Sequence, residues 1–186
     1  MVATTVGRMT LAQFLALPEH GTAQGKWELV LGEVREMPRP TPRHNQLALG
    51  LGARLLNHLQ AKGLGALFPD TLIVLDEANE VAVAPDLAFF STERLAEARI
   101  EQAIYGVPDL VVEILSPSTR QYDRGEKLAL YHQAQVEWAW LIELEPLMVE
   151  EFHWSEQGYV LTQVVPGNHP FTPKRFPELN LTLASL

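Results

Sequence analysis

The sequence predicts a single-domain α/β protein, a mixed central sheet flanked by helices, with N-terminal and C-terminal β-hairpin additions. Three observations carry the α/β assignment. Apolar runs of strand length alternate with amphipathic segments of helix length across residues 43–144. The run Leu110–Leu115 is followed by a helical pattern and then by a second apolar run at 137–144, so these two strands should be parallel with a right-handed crossover. No internal repeat, low-complexity tract or linker interrupts the 186 residues, a length that suits one domain with a substantial core. One domain over 1–186 is expected, with its core at about 43–144.

Taken in order, Thr10 before Leu11, Phe14 and Leu15 marks a short amphipathic helix with a threonine N-cap, closed by Pro18. Residues 20–25 form a loop. Trp27 to Val30 and Glu33 to Met37 make a hairpin around Leu31-Gly32, an N-terminal addition to the core. Pro38, Pro40 and Pro42 stiffen the connector that follows. From about Arg43 to Lys62, Leu47, Leu51, Leu55 and Leu59 recur every four residues, joined by Leu49 and Leu56, and Gly63 stops the helix.

Residues 65–75 and 80–90 are expected as consecutive strands, and 92–104 as a polar, helical connection. Leu110 to Leu115 is rich in β-branched residues and bounded by Pro108 and Ser116-Pro117, which suits a strand buried on both faces. A helix over 123–135 should start with Asp123 as N-cap and Glu126 three residues later, an aspartate form of the capping box. Lys127 then shares the inward stripe with Leu130, Tyr131 and Ala134. Segments 147–153 and 159–165 suggest a C-terminal hairpin near Gly158, and the tail from Pro166 is proline-rich with an apolar finish.

Composition excludes several classes. The chain is 47% hydrophobic and 20% charged, and its lack of cysteine rules out disulfides and thiolate metal sites. No apolar run approaches the roughly 20 residues of a membrane helix, and no signal pattern opens the chain, so a cytoplasmic location is expected. The net charge of −9 has the wrong sign for a protein that coats nucleic acid. It is uneven, however: residues 1–65 hold seven basic and four acidic groups, a net of +3, which leaves −12 for the remainder.

Three residues break local rules. Glu113 sits inside an apolar strand, where a lone carboxylate would cost several kcal/mol unless paired, hydrogen-bonded or metal-bound. Asp86 follows Pro85 within another apolar strand, and Pro85 removes a ladder donor, which implies an edge or a bulge. Lys127 lies on the packed side of its helix. Each has a plain explanation: Glu113 in a buried pair with Arg120 or Arg124, Asp86 satisfied at a strand irregularity, Lys127 with its head in water. Together, two carboxylates from adjacent strands and a lysine suit a hard divalent cation and phosphodiester hydrolysis.

The pattern Pro85-Asp86, then Glu113, then a lysine resembles the PD-(D/E)XK nuclease superfamily, and more narrowly its Uma-type branch of restriction-type endonucleases. Matching stretches are Met9-Thr10-Leu11, Lys26 to Val30, Val83 to Asp86, Val112 to Thr119, Asp123 to Leu128, Tyr131 and Trp140 to Pro146. The resemblance implies a restriction-endonuclease-like fold in which Asp86 and Glu113 hold Mg²⁺ (with Mn²⁺ a possible substitute), aided by the carbonyl of Ile114. The superfamily's lysine usually follows the glutamate by two positions. Leu115 stands there, so Lys127 would supply the ammonium from the next helix. Glu28 matches an early family glutamate and would be an accessory acid. His44, Arg120 and Arg124 are candidate substrate contacts. Leu31 departs from the acidic residue common in the family, which weakens any second carboxylate in that hairpin.

No glycine-rich phosphate loop, His-Glu-x-x-His or Gly-x-Ser-x-Gly occurs. Ser116 and Ser118 suit capping or phosphate contact better than nucleophilic attack. His132, His153 and His169 lack ligand spacing, and Trp138 with Trp140 suits the core better than base stacking. The expected function is metal-dependent hydrolysis of a nucleic-acid phosphodiester bond, with DNA as the expected partner and a homodimer through the 147–165 hairpin. The alternatives are a catalytically weak or inactive binding module of the same fold, favoured by the acidic charge, and a hydrolase of small phosphate esters.

Overall fold

The structure, a computed structural model, describes residues 4–17, 21–22 and 25–186. The expected closure at Pro18 and part of the 20–25 loop lie outside the described residues. Helix Leu11–Leu15 begins as expected: Thr10 accepts from the Gln13 amide, and the Gln13 side chain returns to the Thr10 N–H at 2.9 Å. In the hairpin of Gly25–Val30 and Glu33–Pro38, Val30 pairs with Glu33, leaving Leu31-Gly32 as a two-residue turn with φ of 51° and 80°. Positive φ at both positions matches the twist of the flanking strands.

The strands form two mixed sheets. The first runs Thr4–Arg8, Glu33–Pro38, Gly25–Val30, Val81–Val83, Ile73–Asp76, Ile104–Tyr105, Arg99–Ile100, with Gly21–Thr22 paired to Gly25–Val30. The second runs Val160–Pro166, Leu147–His153, Trp138–Leu144, Leu110–Leu115, Leu87–Ser91, Gly65–Pro69. Leu110–Leu115 and Trp138–Leu144 are parallel in register from Leu110↔Trp138 to Leu115↔Glu143. The chain is thus an α/β domain with a hairpin added at each end.

Residues 65–75 and 80–90 are not continuous strands. Each breaks and passes from one sheet to the other, at Pro69–Leu72 and at Ala84–Asp86. Pro85 has no N–H for the ladder, and Asp70 adopts a positive φ of 43°. The breaks lie side by side, joined by the Asp70 N–H to the Asp86 carbonyl at 3.1 Å. Here the sheets diverge and open a cleft. Strand Leu87–Ser91 pairs with Leu110–Leu115 only from Val112 downward, so Glu113 and Ile114 meet that cleft unpaired on one side. Segment 92–104 is helical only over Thr92–Glu97 and ends in two short strands.

Helix Pro42–Lys62 covers the second sheet. Thr41 caps it, Pro42 occupies the first turn where its missing N–H costs nothing, and Gly63 ends it at φ 62°. Leu47, Leu51, Leu55 and Leu59 are fully buried, whereas Leu49 is 77% exposed and Leu56 faces out with it. The hydrophobic core under this helix reaches past residue 144: Val149, Phe171, Phe176, Leu181 and Leu183 pack with Leu110, Val112 and Trp140. Trp138 and Trp140 are both core residues. Among the described residues no helix is long and apolar enough to cross a membrane.

The helix after Leu115 differs from expectation. It starts at Arg120, where the Ser116 carbonyl accepts the Thr119 and Arg120 N–H groups, and Asp123, whose N–H already meets the Thr119 carbonyl, lies inside it rather than at its cap. Asp123–Lys127 forms a single π-helical turn before the α-helix Leu128–Gln133 resumes. The wider turn alters the helical phase and puts both Asp123 and Lys127 on the buried side.

Candidate active site

A cavity of about 830 Å³ occupies the cleft between the diverging sheets, beneath the exposed face of helix Pro42–Lys62. Asp86, Glu113, Lys127, His44, Lys26 and Asp123 all line it. Three of the candidate catalytic residues named above therefore meet at one place, and Glu28 lies behind them.

Asp86 is held by two donors on one oxygen. Its Oδ2 accepts the Ile114 N–H at 2.7 Å and lies 3.1 Å from His44 Nε2, while Oδ1 faces Lys26 at 3.9 Å. Burial pushes its carboxyl up, but the His44 hydrogen bond and Lys26 outweigh it and hold Asp86 below the ordinary range. Burial likewise works against a charged His44, and Asp86 reverses that, so the imidazole titrates above its ordinary value.

Glu113 is pinned through its other face. Its Oε1 accepts from Tyr131 Oη at 2.5 Å and from Lys127 Nζ at 2.9 Å. Among the described residues nothing donates to Oε2. Burial, opposed by Lys127 and reinforced by the neighbouring acids Asp123, Asp86 and Glu28, pushes the Glu113 carboxyl up to about 8. Asp123 is pushed to about 6, again chiefly by burial.

Lys127 is closed in. Its Nζ lies 2.9 Å from Glu28 Oε1, 2.9 Å from Glu113 Oε1 and 3.3 Å from the Ala84 carbonyl, and the residue is 1% exposed. Those partners occupy all three N–H groups. Burial disfavours the ammonium, yet Glu113 and Glu28 hold its pKa well above the ordinary value. Glu28 in turn accepts from the Ala84 N–H at 2.9 Å and from Tyr122 Oη at 2.8 Å. Burial would raise the Glu28 carboxyl, but Lys127 and Lys26 lower it.

Arg120 and Arg124 do not line the cavity. Each lies 2.9 Å from Glu143, and Arg124 also reaches Glu150 at 2.8 Å. The pairing of Glu113 with either arginine, one of the plain readings of the sequence, gives way to Lys127. Lys26, Asp123, Tyr122 and Tyr131 are site residues that the sequence reasoning did not single out. Lys26 was within reach, since it alternates with Glu28 and so shares its strand face. Asp123 was hidden by the π-helical turn.

The donor set fits a hard divalent cation. Among the described residues no three His, Asp or Glu side chains gather closely enough to chelate an ion alone. Two carboxylates, a main-chain carbonyl and waters are the usual habit of Mg²⁺. Asp86 and Glu113 both line the cavity, and among the described residues Asp86 Oδ1 and Glu113 Oε2 accept no hydrogen bond. In an extended strand the N–H and C=O of one residue leave on the same edge, so the Ile114 carbonyl emerges on the side where its N–H meets Asp86.

The family described as "Uma2: Putative restriction endonuclease" matches residues 11–184. The chain belongs to this family. Two uncharacterized proteins of Synechocystis are similar to it: one is 27% identical over 134 residues, covering 72% of this chain and 68% of the relative. The other is 25% identical over 131 residues, covering 70% and 72%. A crystal structure described as a putative nuclease belonging to DUF820, from Anabaena variabilis, superposes with a TM-score of 0.74 at 21% identity, covering 95% of this chain and 96% of that one. That likeness establishes the nuclease-like fold. For this Uma2-family chain, the sheet divergence at Pro85-Asp86 is what gives the fold its cleft.

Proposed function

We propose that this Uma2-family protein is a metal-dependent endonuclease that hydrolyses phosphodiester bonds, with DNA as substrate and Mg²⁺, replaceable by Mn²⁺, as cofactor. One observation carries the reading: Asp86 and Glu113 line one cavity, each with one oxygen tied to the protein and the other without a hydrogen bond among the described residues. An acid at a strand break and an acid within a strand are thereby available to one cation. Asp86 Oδ1, Glu113 Oε2 and the Ile114 carbonyl would hold it. When bound, the cation supplies Lewis acidity toward a phosphoryl oxygen and toward an attacking water.

The chain's own residues do the remainder. His44 and the Ile114 N–H fix the orientation of Asp86. Tyr131 and Lys127 fix Glu113 through Oε1, so a proton on Glu113 resides on Oε2, the atom that ligation would free. Lys127 remains an ammonium and contributes positive charge beneath the reacting phosphate, not a base. Glu28, buried and fully bonded, acts as the positioning residue for Lys127.

A plasmid assay tests the proposal. Supercoiled DNA with Mg²⁺ or Mn²⁺ should be nicked or linearised by the wild type and not by Glu113→Gln or Asp86→Asn. Equal cleavage by those variants would remove the site assignment. Binding in Ca²⁺ without cleavage in any metal would favour the inactive binding module instead. Hydrolysis of a simple phosphate ester but not plasmid would favour the small-ester alternative. A cytoplasmic, homodimeric enzyme completes the proposal. The edge strand Val160–Pro166 leaves Val160, Leu161 and Val164 exposed and is the contact we favour, to be tested by sedimentation of Val164→Lys.

A further inference from the structure

Two lysines serve this cavity, and they are not equivalent. Lys26 and Glu28 alternate along Gly25–Val30 and so leave the strand on one face. Glu28 turns inward to Lys127. Lys26 instead stands at the cavity edge, its side chain 28% exposed against 2% for Lys127. Its ammonium donates to the Ala84 carbonyl at 2.9 Å and to Asp70 Oδ1 at 2.6 Å, and lies 3.9 Å from Asp86 Oδ1. Two of its three N–H groups are therefore engaged at hydrogen-bond distance, and one is left on the cavity side. Asp70 is itself 68% exposed, so that link sits at the rim, where water weakens it.

The Lys26 ammonium stands between two carboxylates, Asp70 at 2.6 Å and Asp86 at 3.9 Å. The Lys127 ammonium has no N–H to offer unless it leaves Glu28, Glu113 or Ala84. The Lys26 ammonium can exchange an exposed carboxylate for a phosphate, a swap of one anion for another.

We propose that Lys26 is the residue that grips the substrate phosphate, and that Asp70 holds its ammonium at the rim until a polyanion displaces it. This rests on the nuclease reading above. It divides the labour between the two lysines: Lys127 is fixed charge and scaffold, and Lys26 is the mobile contact.

The test is DNA binding without turnover. A fluorescein-labelled duplex of arbitrary sequence is titrated by anisotropy with Ca²⁺ in place of Mg²⁺, across a series of KCl concentrations. Lys26→Met should bind about tenfold more weakly at low salt, and its slope of log K against log salt should be shallower by about one unit. Lys26→Arg should retain most of the affinity, which separates lost charge from lost fold. Asp70→Asn should bind about threefold more tightly, the size expected for releasing an exposed ion pair, and this gain should vanish in the Lys26→Met background. The inference is overturned if Lys26→Met keeps the wild-type affinity and slope, or if the Asp70→Asn gain survives without Lys26. Failure of the wild type to bind would instead overturn the nuclease reading itself.

Discussion

Glu28 and Lys127 form an ion pair of 2.9 Å in which neither side chain reaches solvent. One comes from the N-terminal hairpin and the other from the helix that follows the glutamate strand, and because Lys127 also meets Glu113 at 2.9 Å it links the two sheets behind the cavity. A buried charge that loses its partner typically costs about 3–5 kcal/mol. Loss of activity in a Lys127 variant is therefore ambiguous by itself.

A double variant resolves this. Lys127→Met should lower stability by about 3–5 kcal/mol, because the buried Glu28 carboxylate is left without its cation. Adding Glu28→Gln removes that charge and should recover part of the loss in urea unfolding. Plasmid cleavage should stay absent in both. Recovery of cleavage together with stability would mean that Lys127 acts only as scaffold.

Stability in the absence of metal should fall as pH rises from about 5 to 8. The Glu113 carboxyl is raised from 4.5 to about 8, so across that interval the folded protein keeps a proton that the unfolded chain releases. Each such proton gives a slope of about −1.4 kcal/mol per pH unit. Asp123 acts in the same direction between 3.8 and about 6, as does the raised His44 once pH passes 6.5. Glu28 and Asp86 are shifted down, so their contribution is complete above the ordinary carboxylate range and adds no slope here. Urea unfolding in EDTA should show the decline for wild type and a slope smaller by about one proton for Glu113→Gln. Parallel curves would contradict the placement of the proton.

Much of this site was legible because its residues violate burial rules. An acid inside Leu110–Leu115, an Asp after Pro85 and a lysine on an inward stripe are anomalies of composition at known positions, and all three line one cavity. The leucines of Pro42–Lys62 were equally plain, since a four-residue period needs no tertiary information. What periodicity could not show was where a strand changes partners. Residues 65–75 and 80–90 have continuous apolar character, and the sheet change depends on Pro69, Asp70 and Pro85 lying side by side in space. The π-helical turn escaped for a related reason: Asp123 and Glu126 imitate a capping box, while Ser116 and Thr119 start the helix upstream.

Gly65→Ala should be strongly destabilising and should affect folding rather than chemistry. A Cβ at Gly65, whose φ is 140°, would stand 2.0 Å from the Phe90 carbonyl oxygen and 2.8 Å from the Ser91 Cα. Neither is a flexible side chain, so strand Gly65–Pro69 would have to lift from Leu87–Ser91. We expect a loss of several kcal/mol in denaturant unfolding, with no change in metal dependence for whatever fraction remains folded. A stability within about 0.5 kcal/mol of wild type would show that this edge strand is not bound as tightly as its geometry implies.

His44 should act on the cation through Asp86. Its Nε2 lies 3.1 Å from Asp86 Oδ2, so among the described residues the ring is tied to that carboxylate. His44→Ala would leave Asp86 held only by the Ile114 N–H and free to turn. Loss of such an orienting bond typically weakens metal affinity about 10–100-fold. His44→Gln should restore much of it, because the glutamine amide nitrogen can occupy the place of Nε2. The half-saturating Mg²⁺ concentration should therefore rise sharply in the alanine variant and fall back in the glutamine variant, with little change in the rate at saturating metal. A lower rate at saturation with an unchanged Mg²⁺ requirement would instead make His44 a direct contact to the substrate.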